Sequence, residues 1–500
     1  MNNIQEDRRK VIKTLVLAGF GIHFIGCTDS PEPIPKKKKK APLKEEVEQV
    51  VEEIEQEVES NNVVYLTKED EQFEELATYF NKFTQKSPAI IALVSNAEGI
   101  SEAILHAKEL DLPVSVKSGG HSFEQFSSND GGLVINLSLL NTIEWKENNE
   151  VEIGPACLLK EMYDELLPKQ RILPAGSCGT VGVGGLTLGG GYGFFARKYG
   201  LTCDNLLSAT FIDGNGEIHE VSGDDELLWA LRGGGNGNFG VVSSFRFKTY
   251  PVPEHFSYTR LKAKNLDKDR AKLLLDTWFE YGKLLPGSCF SAFVLNGKSL
   301  TILITNFESS TPILEEMIQA LTEITDSVTS KRNNDIAGAL KNYYGIQHPI
   351  YFKNASAGYY SSFSDIEGCI DQVLDKVVST PGLIYQVNTL GGAINFEENK
   401  LNSSYPHRSF EYLSELQTYW SEGQDQKRDR YLKEFEYIQN LFYENGNRAQ
   451  YRNYPSIGFK DWEAAYFGEN YERLQGIKQK YDRDNTIRHP QSIRSGFEQN

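Results

Sequence analysis

Two glycine-rich stretches each carry one residue able to bond to carbon. The first is Lys117-Ser118-Gly119-Gly120-His121-Ser122. The second runs from Ser177-Cys178-Gly179-Thr180-Val181-Gly182-Val183-Gly184-Gly185 into Gly189-Gly190-Gly191-Tyr192-Gly193. Glycines at this density hold the backbone in left-handed or closely approaching conformations, so peptide N–H groups rather than side chains face a flat or anionic ligand. Both stretches follow apolar β-like segments, residues 112–116 and 171–174, as loops leaving strands do. An imidazole and a thiol on such loops suit attachment to a large phosphate-bearing cofactor. A nicotinamide-type G-x-G-x-x-G turn does not fit, because glycines run through the whole second loop and no acidic residue follows at the expected distance. A Walker-type loop is missing as well.

Taken with Leu227-Leu228-Trp229-Ala230-Leu231-Arg232-Gly233-Gly234-Gly235-Asn236-Gly237-Asn238-Phe239-Gly240 and the late Tyr451-Arg452-Asn453-Tyr454-Pro455, the two loops resemble berberine-bridge-enzyme-like FAD oxidoreductases, part of the flavoprotein group similar to vanillyl-alcohol oxidase. The resemblance extends from about Ala89 to Ile493, through Tyr466-Phe467-Gly468, Tyr481-Asp482 and Gln491-Ser492-Ile493. It implies an α+β, two-domain PCMH-type FAD-binding fold with an antiparallel-sheet substrate domain and a C-terminal segment that returns to the FAD domain. It also implies a flavin held by two covalent bonds, His121 at the C8 methyl and Cys178 at C6. Ser118, Gly119, Gly120 and Ser122 are expected to cradle the pyrophosphate, while Gly182, Gly184 and Gly185 pass close to ring and ribityl. Asp204, Asn205, Gly240 and Val241 match further positions near the cofactor, and Val181, three beyond the cysteine, matches the position that gates oxygen. Leu186 departs from the pattern: many relatives carry a histidine there, a stabiliser of charge on the reduced ring.

Oxidising an alcohol requires a base for the hydroxyl proton as hydride leaves. The resemblance offers Tyr454 and Tyr451 of the Y-x-N-Y motif, and a phenol can serve if donors or cations depress its pKa from about 10. In an extended segment Tyr451 and Asn453 share one face and Tyr454 takes the other, which favours Tyr454. Alkaloid ring closure is disfavoured, since Phe396 stands near the place where those relatives carry a glutamate after a Gly-Gly pair, here Gly391-Gly392. Gln386 and Asn388, two apart on one strand, face one side of a sheet and are candidate substrate residues. Tyr343, Tyr344, Tyr359, Tyr360 and Tyr385 offer aromatic surface for stacking. The expected reaction is oxidation of the anomeric hydroxyl of a mono- or oligosaccharide, with O2 taking the electrons and giving H2O2. Oxidative tailoring of a secondary metabolite, a dehydrogenase with another acceptor, and a solute-binding lipoprotein are the alternatives.

The elements that must position these residues can be read in outline. Residues 89–94 and 112–116 read as buried strands around a helix at 98–108, and Asp213-Gly214-Asn215-Gly216 reads as a hairpin turn. Helical patterns at 271–284 and 313–327 alternate with strands at 291–295 and 300–305. Five hundred residues exceed what one core organises. The expected division is a signal peptide over 1–26, a tether over 27–71, an FAD-binding domain over 72–253, a substrate domain over 254–449 and a C-terminal segment over 450–500.

At the N-terminus, Arg8-Arg9 precedes an apolar run over 14–25 that ends in Ile25-Gly26-Cys27. The run is too short to span a bilayer and suits a twin-arginine-like signal with a lipobox. The chain is therefore expected to be exported and anchored through an acylated Cys27, its only membrane contact. Residues 31–40 read as a Pro- and Lys-rich spacer, and Val47, Val51, Ile54 and Val58 suggest a short amphipathic helix. A net charge of −17 and a pI near 5.1 argue against a nucleic-acid partner. The six cysteines form no C-x-x-C, so a metal site is not expected, and disulfide pairing stays open.

Overall fold

Alternation of apolar β-rich runs with amphipathic helices builds the first body. The computed structural model describes residues 61–496; the signal, Cys27 and most of the tether lie outside them. Strands β1 (Val63–Leu66), β2 (Ile90–Val94), β3 (Val114–Lys117) and β4 (Leu133–Asn136) form a sheet in the order β1-β2-β4-β3, with β2 and β3 parallel to β4. Helix α1 (Ala97–Glu109) begins at Asn96, whose side chain accepts from Gly99 N at 2.8 Å, and buries Ile100, Ala103, Ile104 and Ala107 against this sheet. The expected tether ran to residue 71, yet β1 lies inside it and pairs with β2. Four residues are too few for a two-residue period to show, so pairing rather than pattern defines that strand. The helix anticipated around Phe73 is a single turn, Phe73–Leu76.

A second, antiparallel sheet follows, in the order β5 (Ile143–Trp145), β6 (Glu150–Ile153), β10 (Gly240–Lys248), β8 (Leu206–Asp213) and β9 (Ile218–Ser222). The β8–β9 hairpin turns where Asp213-Gly214-Asn215-Gly216 requires it, with Gly216 at φ +81° and the Asp213 N–H donating to Glu217 O. A two-stranded ribbon, β7 (Arg171–Ile172) with β11 (Tyr250–Pro251), precedes the second glycine loop.

The second body is a seven-stranded antiparallel sheet, ordered β15 (Ser327–Asn333), β12 (Phe256–Ala263), β14 (Ser299–Asn306), β13 (Cys289–Asn296), β17 (Leu383–Thr389), β18 (Tyr412–Trp420) and β16 (Tyr351–Tyr360). Helices α2 (Lys268–Gly282), α3 (Pro312–Ile324), α4 (Ile370–Ser379) and α5 (Asp425–Glu444) cover one face, burying Trp278, Met317, Val373 and Phe435 with Tyr385, Val387 and Leu416 of the strands. The other face contributes Phe256, Phe290 and Ala292 to the core of the first body. The helical pattern read over 313–327 stops at Ile324, because Ser327 already pairs with Lys262 in the sheet. The two-domain FAD-binding architecture is thus a mixed α/β body joined to a sheet-rich one.

The chain's end returns to the first body. Ile487 bridges Val114 of β3, with Val114 N donating to Thr486 O at 2.8 Å. Helix α6 (Tyr471–Tyr481) buries Leu474 and Ile477, and its Lys478 pairs with Asp482 at 2.6 Å where both side chains are fully buried.

Across the two bodies, Arg408 grips Asp204 with paired bonds of 2.8 and 2.5 Å, both side chains almost fully buried. Bidentate geometry, with Nη1 also donating to Ile394 O and Nη2 to Ser403 Oγ, is the arrangement that lets a buried pair repay desolvation, although the Arg408 Nε is left without a partner. Removing one partner strands the other charge. Arg408→Ala should therefore lower unfolding free energy by about 3–5 kcal/mol, while Arg428→Ala in an exposed pair with Asp425 should leave it nearly unchanged; denaturant titration of both variants checks this.

Candidate active site

Strand β3 ends at Lys117 and the first glycine loop leaves its carboxyl end, the position where ligands bind in open α/β sheets. The second loop lies directly against it. A side chain at Gly119 would overlap Gly182 N, and one at Gly182 would lie 2.6 Å from Gly119 N; only two backbones without Cβ atoms can pass this closely. His121 ties the loops together, its Nε2 2.9 Å from Thr180 Oγ1, and it stacks on Phe80 with ring centroids 3.9 Å apart. Burial pulls the imidazole down to about 3, so it is neutral at pH 7. With Nε2 donating to Thr180, Nδ1 keeps a lone pair for bonding.

The first loop carries its binding capacity in the backbone. Among the described residues no backbone carbonyl accepts from Gly119, Gly120, His121 or Ser122 N–H. Such a run of free donors suits a pyrophosphate. The side chains of the two serines are used within the protein: Ser118 Oγ donates to Pro155 O at 2.6 Å, and Ser122 Oγ accepts from Phe126 N at 3.0 Å. Gly184 closes on Pro155, whereas Gly185 has open space where a side chain would stand. Leu186 points into packing beside Gly176, and its carbonyl accepts from Asn453 Nδ2 at 3.0 Å.

Cys178 is exposed on the second loop. Tyr344 packs over Gly179, and Gly179 N donates to Tyr344 O at 3.0 Å. Desolvation by the protein packed around the loop, with the Glu415 carboxyl, pushes the partly accessible thiol up to about 11. Val181 donates its N–H to Cys178 O at 3.2 Å and is half-buried against the core.

Four residues expected near the cofactor have other work. Asp204 is held by Arg408 and by Leu201 N, and Asn205 donates to Tyr199 O and Leu201 O while accepting from Tyr250 OH. Their side chains are committed to joining elements. Gly240 pairs with Asp213 at the start of β10, where a Cβ would strike Phe211, and Val241 is core.

The Tyr451–Tyr454 stretch is a turn, with Tyr454 N donating to Tyr451 O at 2.9 Å. This overturns the extended-segment expectation, for both rings come to the same side, 5.0 Å apart at 78°. Tyr451 OH accepts from Gly191 N at 3.0 Å and from Asn453 Nδ2 at 3.1 Å. Tyr454 OH lies 2.6 Å from Tyr192 OH, and its ring stacks on Phe123 at 5.3 Å. Burial drives the Tyr454 phenol well above its ordinary value, and Tyr192 and Glu415 push it further.

Gln386 and Asn388 do share a face, and that face is the cleft's floor. Asn388 Nδ2 donates to Tyr192 OH at 3.2 Å, Gln386 Nε2 to Asn388 Oδ1 at 2.9 Å, and Gln417 Nε2 to both Gln386 Oε1 and Glu415 Oε2 at 3.0 Å. Tyr419 OH closes the network on Gln417 Oε1 at 3.0 Å. Sequence reasoning missed Tyr192, Glu415, Gln417 and Tyr419, although polar residues at 415, 417 and 419 alternate along β18 just as 386 and 388 do along β17. Burial pushes Glu415 up to about 8, opposed only by the amides of Gln417 and Asn354. Tyr359, Tyr360 and Tyr385, anticipated as stacking surface, are buried in cores.

The described cysteines 157, 178, 203, 289 and 369 are all unpaired. Asp213, Glu217 and His219 bring potential metal-ligating atoms together, but Asp213 Oδ1 accepts from the N–H groups of Asn215 and Glu217 and thereby serves the β8–β9 turn. No helix among the described residues is long and apolar enough to cross a membrane.

Two family models match the chain, an FAD binding domain over residues 88–222 and a "berberine and berberine like" segment over 450–494. They meet at the cleft just described. The chain carries the FAD binding domain and the berberine-like segment of FAD-linked oxidoreductases. It is 28% identical over 450 residues to an uncharacterized FAD-linked oxidoreductase, YgaK, of Bacillus subtilis, covering 86% of this chain and 96% of that one. It is 26% identical over 456 residues to a chitooligosaccharide oxidase of Gibberella zeae, covering 85% and 91%. In fold it resembles a solved chitooligosaccharide oxidase, with a TM-score of 0.79, 24% identity and coverage of 88% and 99%. The free N–H groups, the open side of Gly185 and the Nδ1 of His121 fit the FAD that the family uses.

Since Gly119 and Gly182 permit the loop contact, Gly119→Ala should force the loops apart at a cost of about 1–3 kcal/mol and reduce flavin occupancy. Absorbance at flavin wavelengths per mole of purified protein, with thermal unfolding alongside, reads both effects.

Proposed function

We propose that this FAD-dependent oxidoreductase carries its flavin on both His121 and Cys178 and oxidises a CH–OH group, the anomeric hydroxyl of a mono- or oligosaccharide, to the carbonyl or lactone. The cleft floor carries this reading. Gln386, Asn388, Gln417, Tyr192 and Tyr419 present amide and phenol groups in one hydrogen-bonded array, with Gln417 also donating to Glu415. Such a surface recognises hydroxyl groups and offers nothing to an anionic substrate. The likeness to a chitooligosaccharide oxidase supports the same substrate class.

Bound FAD supplies the two-electron acceptor. The chain's own part is to fix the ring and to manage the hydroxyl proton. His121 and Cys178 stand on loops held together by the Thr180 contact, so two bonds would lock the ring against the floor. Tyr192 and Tyr454, joined at 2.6 Å, can hold a substrate oxygen between phenol groups. Val181 is small enough to leave a path for oxygen, so O2 takes the electrons and H2O2 leaves. Export and anchoring through Cys27 are part of the proposal and rest on residues 8–27.

Acid-precipitated protein should keep its yellow colour in the pellet, and only His121→Ala combined with Cys178→Ala should release all of it. Full release from the unmodified protein would refute double attachment. Under anaerobic conditions a panel of saccharides and simple alcohols should bleach the flavin selectively with saccharides, and admission of oxygen should restore the colour with peroxide formed. Val181→Leu should slow that restoration without slowing bleaching; recovery by a quinone but not by oxygen in the unmodified protein would make it a dehydrogenase.

A further inference from the structure

We propose that the buried ion pair of Glu124 and Lys353 is a strut that sets the distance between the first glycine loop and the cleft floor, and that His121 reaches the flavin only while this strut stands. The inference rests on the double-attachment reading and gives a positioning role to two residues outside the cleft.

Three segments meet at one carboxylate. Glu124 follows His121 by three residues, and its Oε1 accepts from Lys353 Nζ of β16 and from Ile457 N at 3.2 Å, just beyond the Tyr451–Tyr454 turn. Lys353 Nζ also donates to Ser456 Oγ at 3.4 Å. The Lys353 and Glu124 side chains are only 17% and 10% exposed, so water does not screen the pair as it screens surface pairs. The next residue of β16 belongs to the floor: Asn354 Nδ2 donates to Tyr419 OH at 2.9 Å, and Asn354 lies opposite Gln417 of β18. A continuous path therefore runs from His121 through Glu124 and Lys353 to the polar groups that meet the substrate.

The other contacts along this seam include flat ones. Phe80 stacks on His121 at 3.9 Å and Phe123 on Tyr454 at 5.3 Å, while Phe352 meets Phe123 edge-on at 5.4 Å. Stacked rings resist separation but tolerate sliding. A lysine and a carboxylate, each held by further hydrogen bonds, fix a length. Length matters twice in this cleft. Attachment joins His121 Nδ1 to the C8 methyl carbon with loss of one methyl hydrogen and the Nε2 proton, and O2 takes the two electrons, giving H2O2. Oxidation then needs the alcohol carbon fixed against the ring, where a misplacement of about 1 Å can cost about 10²-fold in rate. Cys178 stands apart from the strut, because its loop is held by Tyr344 O, which accepts from Gly179 N at 3.0 Å.

Single attachment lets each bond be read alone. In Cys178→Ala the flavin is held by His121, and adding Glu124→Gln or Lys353→Met should send most of the yellow colour into the supernatant after acid precipitation. In His121→Ala the same two changes should leave the colour in the pellet. Glu124→Gln combined with Lys353→Met strands neither charge and should restore part of the retention in Cys178→Ala. With both attachment residues present, Glu124→Gln should slow anaerobic flavin reduction by a saccharide about 10–100-fold while the half-saturating concentration changes little. The strut is overturned if Glu124→Gln leaves retention by His121 intact, if it lowers retention equally in both single-attachment proteins, or if the combined variant retains no more than the worse single change. Complete release from both Cys178→Ala and His121→Ala before any further change would be a different result, defeating the attachment reading itself and the strut with it.

Discussion

Close passage of two backbones at Gly119 and Gly182 is the contact on which the site depends. A Cβ on either would occupy the other chain's volume. From that contact follow the short reach from His121 to Thr180, the bond from Ser118 to Pro155 O and the placement of Cys178 at the cleft's mouth. Steric exclusion acts over tenths of an ångström. A site built this way is therefore positioned by main chain, and it leaves peptide N–H groups free to meet a cofactor.

The seven-stranded sheet supplies the opposite wall by ordinary alternation. Along β17, Tyr385 and Val387 enter the core beneath the helices while Gln386 and Asn388 face the loops. Along β18, Leu416 goes inward while Glu415 and Gln417 join the floor. One strand period thus builds a packed core and a polar wall at once. Buried ion pairs fasten the pieces around this wall: Arg408 with Asp204 between the bodies, Lys478 with Asp482 in the returning C-terminal segment, and Lys353 with Glu124 beside the first loop. No such pair reaches Glu415. Its carboxyl is left beside the amides of Gln417 and Asn354, where burial favours the protonated form.

Much of this was legible in the chain. Glycine density, the His and Cys within it and the Tyr451–Tyr454 motif are relations between near neighbours, so the cofactor class and the two-domain fold could be read without coordinates. The hairpin at Asp213–Gly216 and helix α1 were equally plain, since turn chemistry and a 3.6-residue period are local. Tertiary structure alone decided the rest. It turned the Tyr451–Tyr454 segment back on itself, committed Asp204 to Arg408 more than two hundred residues away, and brought Glu415 beside Cys178 and Tyr192. A side chain's environment depends on which distant segments fold against it, and burial, not residue type alone, is what raises the Glu415 carboxyl.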